Sequence, residues 1–253
     1  SDVYKRQILI SLLNIELQKL KKNFILVFLL VFNILSVSIG SAIFYFNQSA
    51  LPNSDNRDLI LWGQETLYTS QLFFPILIGV LCSITWQFEE SNNNWIRMKT
   101  LPLKEKNTVI SKFLSIFLLT LINQLIFLVL FCISSLIVNV SLSHIPKFMY
   151  WCFMGWIGTT SIIAIQLYFS ILTKNFTFSI LMSTVGSILG LLTLFIGNFI
   201  FQLFPYSQIT IGVRSRSLMN FTFSELLIFF IVNVIYVILF LSLATLKLKN
   251  RED

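Results

Sequence analysis

Two stretches decide the fold of this chain: LFFPILIGVLCSI at residues 72–84 and LLIFFIVNVIYVILFL at residues 226–241. Barrel strands alternate apolar and polar residues over about 10 residues, whereas these stretches are apolar throughout. A helix that is apolar on every side is stable when lipid surrounds it, because all its backbone hydrogen bonds are made internally. Both stretches therefore predict membrane-spanning helices.

The same pattern recurs along the chain, which has only 11% charged residues, against roughly 25% in soluble domains. Each charge-free run exceeds the roughly 20 residues that a spanning helix needs. The runs predict an all-α, polytopic membrane protein, a six-span helical bundle in a single transmembrane domain over residues 1–253. The predicted spans are about 24–46, 68–86, 113–138, 148–172, 176–200 and 226–246. No ionisable residue is expected inside them, so a proton- or ion-coupled mechanism has no obvious carrier.

The charge-free run at residues 175–213 is too long for one span and barely long enough for two. Two spans would place the basic tail KLKNR outside, against the positive-inside rule. We therefore expect one span to about residue 200, followed by an outer hairpin or a partly buried segment around FQLFPYSQITIGVRSRS, residues 201–217.

The distribution of basic residues predicts the orientation of the chain in the membrane. When loops are assigned alternately to the two sides, fourteen of the 18 Lys and Arg residues fall inside. Those outside are Arg57, Lys147, Arg214 and Arg216. This bias predicts that both termini are inside. The net charge of +7 is thus a topology signal, and no nucleic-acid partner is expected.

Residues 8–22 predict an N-terminal amphipathic helix that lies along the inner membrane surface. Leucines 9, 13, 17 and 20 fall on one side of it, and polar residues fall on the other. Glu16 lies near the edge of the apolar stripe, where it contacts either a neighbouring span or partner subunit, or only Lys19. Residues 1–7, SDVYKRQ, resemble a translated sequencing-adapter remnant and are excluded from functional reasoning.

The fifth span contains a face of small residues in STVGSILG, which lets helix backbones approach closely. It is formed by Ser183, Gly186, Ser187 and Gly190. Packing within one bundle and a dimer seam are both compatible with it. The three cysteines fall within spans and read as small buried hydrophobes. His144 has no acidic or Cys neighbour in sequence, so no metal site is expected.

The sequence offers no catalytic machinery. No Gly is followed by Lys, so the phosphate-binding loop GxxxxGK[ST] is missing. The pair Glu89–Glu90 suggests the EExxxR motif of prenyl-processing intramembrane proteases, but Asn94 stands where that motif has Arg. No activated nucleophile or metal set can be assembled. We therefore do not expect an enzyme.

The segment FEESNNNWIRMKTLPLKEK, between the second and third spans, is the most informative polar part of the chain. Asn93 or Asn94 can cap a short helix that ends before Pro102. In that helix Trp95 and Met98 share a face. The helix is either a plug for a groove on another protein or an amphipathic connector on lipid headgroups.

The chain resembles the permease subunits of type-2 ATP-binding-cassette exporters. The resemblance rests on IELQKLKKNF before the first span, two acidic residues closing the second, the segment W-x-x-M-K-T-L-P, and LFPYSQ between the fifth and sixth spans. It implies that an ATPase-coupling element is formed by Glu89, Glu90, Trp95, Met98 and Lys99.

Within this family, IELQKLKKNF and TLPLKEK are most similar to the lantibiotic-protection (immunity) permeases. The resemblance implies a bacterial cytoplasmic-membrane subunit that expels lantibiotic-type peptides for producer self-protection. Its partners would be a cytoplasmic ATP-binding subunit, a second permease and membrane lipid. ATP and Mg would bind to the ATPase and no cofactor to this chain. The alternatives are a same-family permease for a drug, lipid or glycan, and a non-transporting scaffold or sensor.

Overall fold

The computed structural model describes residues 2–21, 24–48, 56–91 and 104–250, and this part of the chain is helical, with no strand. A π-helical turn, Thr69–Phe73, joins the helices Arg57–Tyr68 and Phe74–Glu90, and a 3₁₀ turn, Pro205–Ser207, lies between Asn198–Leu203 and Gln208–Gly212. The helices are α1 (Asp2–Lys21), α2 (Ile25–Asn47), α3 (Arg57–Tyr68), α4 (Phe74–Glu90), α5 (Glu105–Ile137), α6 (Ile145–Thr173), α7 (Phe176–Ile196), α8 (Asn198–Leu203), α9 (Gln208–Gly212) and α10 (Phe223–Lys249).

Six helical stretches within these ranges are long and apolar enough to cross a membrane. The second stretch combines α3, the π turn and α4 into 34 residues. The stretches are Ile25–Asn47, Arg57–Glu90, Glu105–Ile137, Ile145–Thr173, Phe176–Ile196 and Phe223–Lys249. The prediction of an all-α polytopic membrane protein is confirmed.

Two of these stretches, Arg57–Glu90 and Glu105–Ile137, extend well beyond the predicted spans, and a charged residue at the start of the first has partners in the protein. The second stretch begins at Arg57, although the span was expected from about residue 68. Asp58 is buried, and its Oδ2 accepts backbone N–H bonds from Ser143 and His144 at 2.9 and 3.1 Å. A charge-free run therefore marks only the apolar part of a helix that continues with partnered polar residues.

The segment after α7 folds back into the bundle. Gly197 ends α7 with φ 159° and ψ 155°, backbone angles that are almost restricted to glycine. Most residues from Pro205 to Ser215 are buried. A Cβ atom at Gly158 of α6 would lie 2.5 Å from the Gln208 carbonyl oxygen, so α9 rests directly on the α6 backbone. Of the two expectations for this segment, the buried one is correct.

The N-terminal helix α1 follows the predicted two-sided pattern only in part, within the residues whose side chains are described. Leu20 is buried and Leu17 is half-buried, but Ile10 and Ile15 are exposed and Glu16 is buried. Leu20 belongs to a core cluster with Trp86 of α4 and Leu248 of α10. The Lys19–Glu89 contact at 2.8 Å joins α1 to the end of α4, and we call this end of the bundle the α1 end.

Candidate coupling site

Lys112 is the centre of a buried ionic cluster at the α1 end. This residue of α5 is 0% exposed. Its Nζ donates to Glu89 Oε1 at 2.7 Å, to Glu16 Oε2 at 3.0 Å and to the Thr85 carbonyl oxygen at 3.2 Å. The three donor positions of an ammonium group are thus all used. One lysine therefore ties α1, α4 and α5 together.

Lys19 completes the cluster from α1. Its Nζ donates to Glu89 Oε1 at 2.8 Å and to Glu16 Oε1 at 3.1 Å. Burial lowers the pKa of the Lys19 ammonium, but the carboxylates of Glu16 and Glu89 outweigh this effect, so the pKa is raised above its ordinary value. The two lysines balance the two glutamates in charge. We call these four residues the ionic cluster.

The cluster makes the helix arrangement at the α1 end sensitive to the loss of any one member. Burying two charges costs solvation energy that is recovered only when their geometry and hydrogen bonds are good. Removal of one partner of a buried pair typically costs about 3–5 kcal/mol, since the other charge stays buried without compensation. The ionic cluster therefore favours one arrangement of α1, α4 and α5 over others.

Of the two acidic residues that close α4, only Glu89 belongs to the ionic cluster. Its side chain is 3% exposed, and its interactions with Lys19 and Lys112 point it into the bundle. Glu90 is half-buried and accepts a hydrogen bond from Trp86 Nε1 at 2.9 Å. The two adjacent glutamates therefore have different environments. Trp95, Met98 and Lys99 lie outside the described residues.

Both sequence interpretations of Glu16 hold in the structure. The side chain bonds to Lys19 one turn away and also to Lys112 of a neighbouring span. The burial of Lys112 was not predicted from the sequence. The signal that could have indicated it is the position of Lys112 one residue before a long apolar run, where a basic side chain can enter the bundle if an acidic partner is present.

The small-residue face of α7 packs within the same chain. Ser183 donates to the Pro75 carbonyl oxygen, and Ser187 Oγ donates to the Gln71 carbonyl oxygen at 2.6 Å. Gln71 lies in the π turn, where the helical hydrogen-bond register is interrupted. A Cβ at Gly186 would lie 2.4 Å from the Tyr206 ring, and one at Gly190 would lie 2.5 Å from Gln71 Nε2.

Glu65 is an ionisable residue in the second helical stretch, just before the predicted span that starts at about residue 68. It is 0% exposed within the stretch Arg57–Glu90. Its Oε1 accepts hydrogen bonds from Ser41 of α2 at 2.7 Å and from Ser134 of α5 at 2.6 Å. Glu65 stands one residue before the charge-free run that predicts the second span, so that run does not reveal its burial. The helical spacing of Leu61, Trp62 and Glu65 was the available signal.

His144, which has no acidic neighbour in sequence, has an acidic partner in the fold. Its Nδ1 lies 3.0 Å from Asp58 Oδ2. Among the described residues, no group of three or more His, Cys, Asp or Glu side chains could hold a metal ion.

The comparison with known families agrees with this architecture. The profile described as "ABC-2 family transporter protein" matches residues 12–190, which is more than half of the chain and includes all four residues of the ionic cluster. A search of curated proteins finds no significant match. Membership of this family implies a partner subunit that binds ATP. The chain is therefore an integral membrane protein of the ABC-2 transporter family, and it is a permease subunit of an ABC exporter.

Proposed function

We propose that this permease expels lantibiotic-type antimicrobial peptides across a bacterial cytoplasmic membrane and thereby protects a producing cell. Residues 1–253 act as one transmembrane permease domain, alone or with a sister permease. ATP and Mg bind to the separate ATPase and not to this chain. The peptide cargo is supported by the likeness of IELQKLKKNF and TLPLKEK to lantibiotic-protection permeases.

We further propose that the connector at residues 92–103 grips the ATPase through Trp95, Met98 and Lys99, with Glu89 and Glu90 at its base. The observation that carries this proposal is the ionic cluster, which lies where the connector leaves α4 and joins that helix to α1 and α5. A displacement of the connector would act on Glu89 and, through Lys112, on three helices at once.

In this mechanism the ATPase supplies the energy and the permease changes shape. ATP binding closes the ATPase pair, and a connector that is held more tightly in one state shifts the helix arrangement toward that state. Glu89 acts within the ionic cluster as a positioning residue, whereas Trp95 and Met98 contact the ATPase. A cationic, amphiphilic peptide partitions into lipid and would enter the permease from the membrane.

Co-purification tests the coupling proposal. We expect Trp95→Ala to reduce the ATPase that is recovered with the permease at least about tenfold, since buried aromatic anchors dominate interface energies. Lys174→Ala is the matched control, because Lys174 is an exposed residue of the turn between α6 and α7, on the same predicted side. Unchanged recovery with Trp95→Ala would contradict the coupling proposal.

A tolerance assay tests the cargo separately. Expression of the permease with its ATPase in a sensitive cell should raise tolerance to at least one member of a panel of lantibiotics. If tolerance is unchanged while the ATPase still co-purifies, the protein is a same-family permease for another amphiphile, such as a drug, lipid or glycan. If no ATPase associates at all, a non-transporting scaffold or sensor replaces both proposals.

A further inference from the structure

A cavity of about 240 Å³ lies between the segment after α7 and the start of α10, at the end of the bundle opposite the α1 end. A water-sized group needs roughly 10–15 Å³ of such volume, so a group of several heavy atoms fits. Its lining combines polar, charged and aromatic side chains: Asn198, Phe201, Arg214, Arg216, Glu225 and Phe229. It is separate from the ionic cluster and is not used by the coupling mechanism.

The guanidinium of Arg214 already donates hydrogen bonds to neighbouring protein groups, one of them in α10. Its Nη1 donates to Glu225 Oε2 at 3.1 Å, its Nε to the Met219 carbonyl oxygen at 2.8 Å, and its Nη2 to the Asn220 carbonyl oxygen at 3.3 Å. Glu225 also accepts the backbone N–H of Thr222 in the capping box of α10. The Arg214–Glu225 pair is therefore neutral and forms a fixed wall of the cavity.

Arg216 supplies the positive charge that remains. It is exposed, and its one hydrogen bond among the described residues joins Nη1 to Asn198 Oδ1 at the long distance of 3.4 Å. Its guanidinium lies 6.0 Å from the centre of the Phe201 ring. An arginine on an aromatic ring with most of its donors free is suited to bidentate binding of an oxyanion. The cavity thus carries a net charge of about one positive unit.

Apolar side chains line the cavity, and others are exposed close to it along the chain. Phe201 and Phe229 line its wall. Nearby along the chain, Phe195 and Phe199 are 81% and 69% exposed at the end of α7 and in α8. A ligand that binds both the Arg216 guanidinium and the apolar side chains combines a single negative charge with an apolar tail. Free phosphate would satisfy only the arginine.

We propose that this cavity binds the phosphodiester headgroup of an anionic phospholipid. The phosphate oxygens contact the Arg216 guanidinium and the Asn198 amide, and the acyl chains run along Phe201 toward Phe199. Basic residues near a bilayer surface bind anionic headgroups in this way. The bound lipid would hold the segment after α7 against α10. This inference does not depend on the cargo or on the ATPase coupling.

The test uses the purified full-length protein in a neutral detergent, with binding measured by native mass spectrometry. The probes are dioctanoyl phosphatidylglycerol, dioctanoyl phosphatidylcholine and inorganic phosphate. We expect phosphatidylglycerol to bind about fivefold to tenfold more tightly than phosphatidylcholine, whose choline cancels the phosphate charge. Equal binding of the two lipids would overturn the proposal. Inorganic phosphate that competes fully with phosphatidylglycerol at equal concentration would overturn the lipid assignment.

Matched variants locate the binding at the cavity. Arg216→Gln should weaken phosphatidylglycerol binding about fivefold to tenfold. Arg216→Lys should give an intermediate loss, because lysine keeps the positive charge but lacks the paired N–H donors of the planar guanidinium. Lys147→Gln removes the same charge at the same end without lining the cavity and should bind as the parent protein does. A thermal melting measurement of each purified variant without added lipid checks that the variant is folded. Parent-like binding by a folded Arg216→Gln protein would overturn the proposal.

Discussion

Lys112 shows how a charge can be placed inside an apolar bundle. Its ammonium group has two carboxylates and a carbonyl oxygen within 3.2 Å, and its side chain is 0% exposed. Lys19 serves the same two carboxylates but is 33% exposed, so water also screens its charge. We therefore expect the buried Lys112 to contribute more to the stability of the protein than the partly exposed Lys19.

We predict that Lys112→Met destabilises the protein strongly, by about 3–5 kcal/mol, because it leaves two buried glutamates with only Lys19 to balance them. Lys19→Met should cost clearly less. Melting of the purified protein in detergent measures both effects, with exposed Lys174→Met as the control. Adding Glu89→Gln to Lys112→Met should restore part of the loss. Equal melting temperatures for Lys112→Met and Lys174→Met would contradict this account.

At the scale of elements, α7 is held by close backbone approach. Its small residues let the π turn and the 205–207 turn come within contact distance, and the hydroxyls of Ser183 and Ser187 bond to carbonyl oxygens of the second stretch. Small residues and interhelical hydrogen bonds are the usual means of packing helices in lipid, where burial of apolar surface contributes little. The face that could have formed a dimer seam is occupied within this chain.

We predict that Gly186→Ala lowers stability by about 1–3 kcal/mol, since the added methyl group overlaps the ring of Tyr206. Gly190→Ala should cost less, because its nearest neighbour is the movable amide of Gln71. Melting in detergent measures the difference, and Val185→Ala on the exposed side of α7 is the control. A Gly186→Ala protein as stable as the Val185→Ala protein would show that the contact is not tight.

At the scale of the whole molecule, the ion pairs at the two ends are close to balanced, so the unpaired basic residues carry the orientation signal. The last turn of α10 contains Lys247 and Lys249. The positive-inside rule predicts that the α1 end faces the cytoplasm. The coupling proposal requires this orientation, because the connector must face the ATPase. The same orientation would place the lipid-binding cavity at the outer leaflet.

Cysteine labelling in intact cells tests the orientation. In a protein whose three cysteines are replaced, we expect a membrane-impermeant maleimide to label Ser217→Cys directly. Asn175→Cys, in the exposed turn between α6 and α7, should react only after permeabilisation. The opposite labelling pattern would place the connector outside and end the coupling proposal.

The fold class and the number of long apolar helices could be predicted from the sequence alone. Lipid imposes a length and a composition on every spanning helix, and both can be read locally along the chain. Only the tertiary structure decided which charges meet: Lys112 is 23 residues from Glu89 and 96 from Glu16. It also decided that Glu65 is buried and that the segment after α7 folds inward. The physical reason is that neighbouring helices and lipid are equally apolar, so a helix sequence does not indicate which of its faces meets which partner.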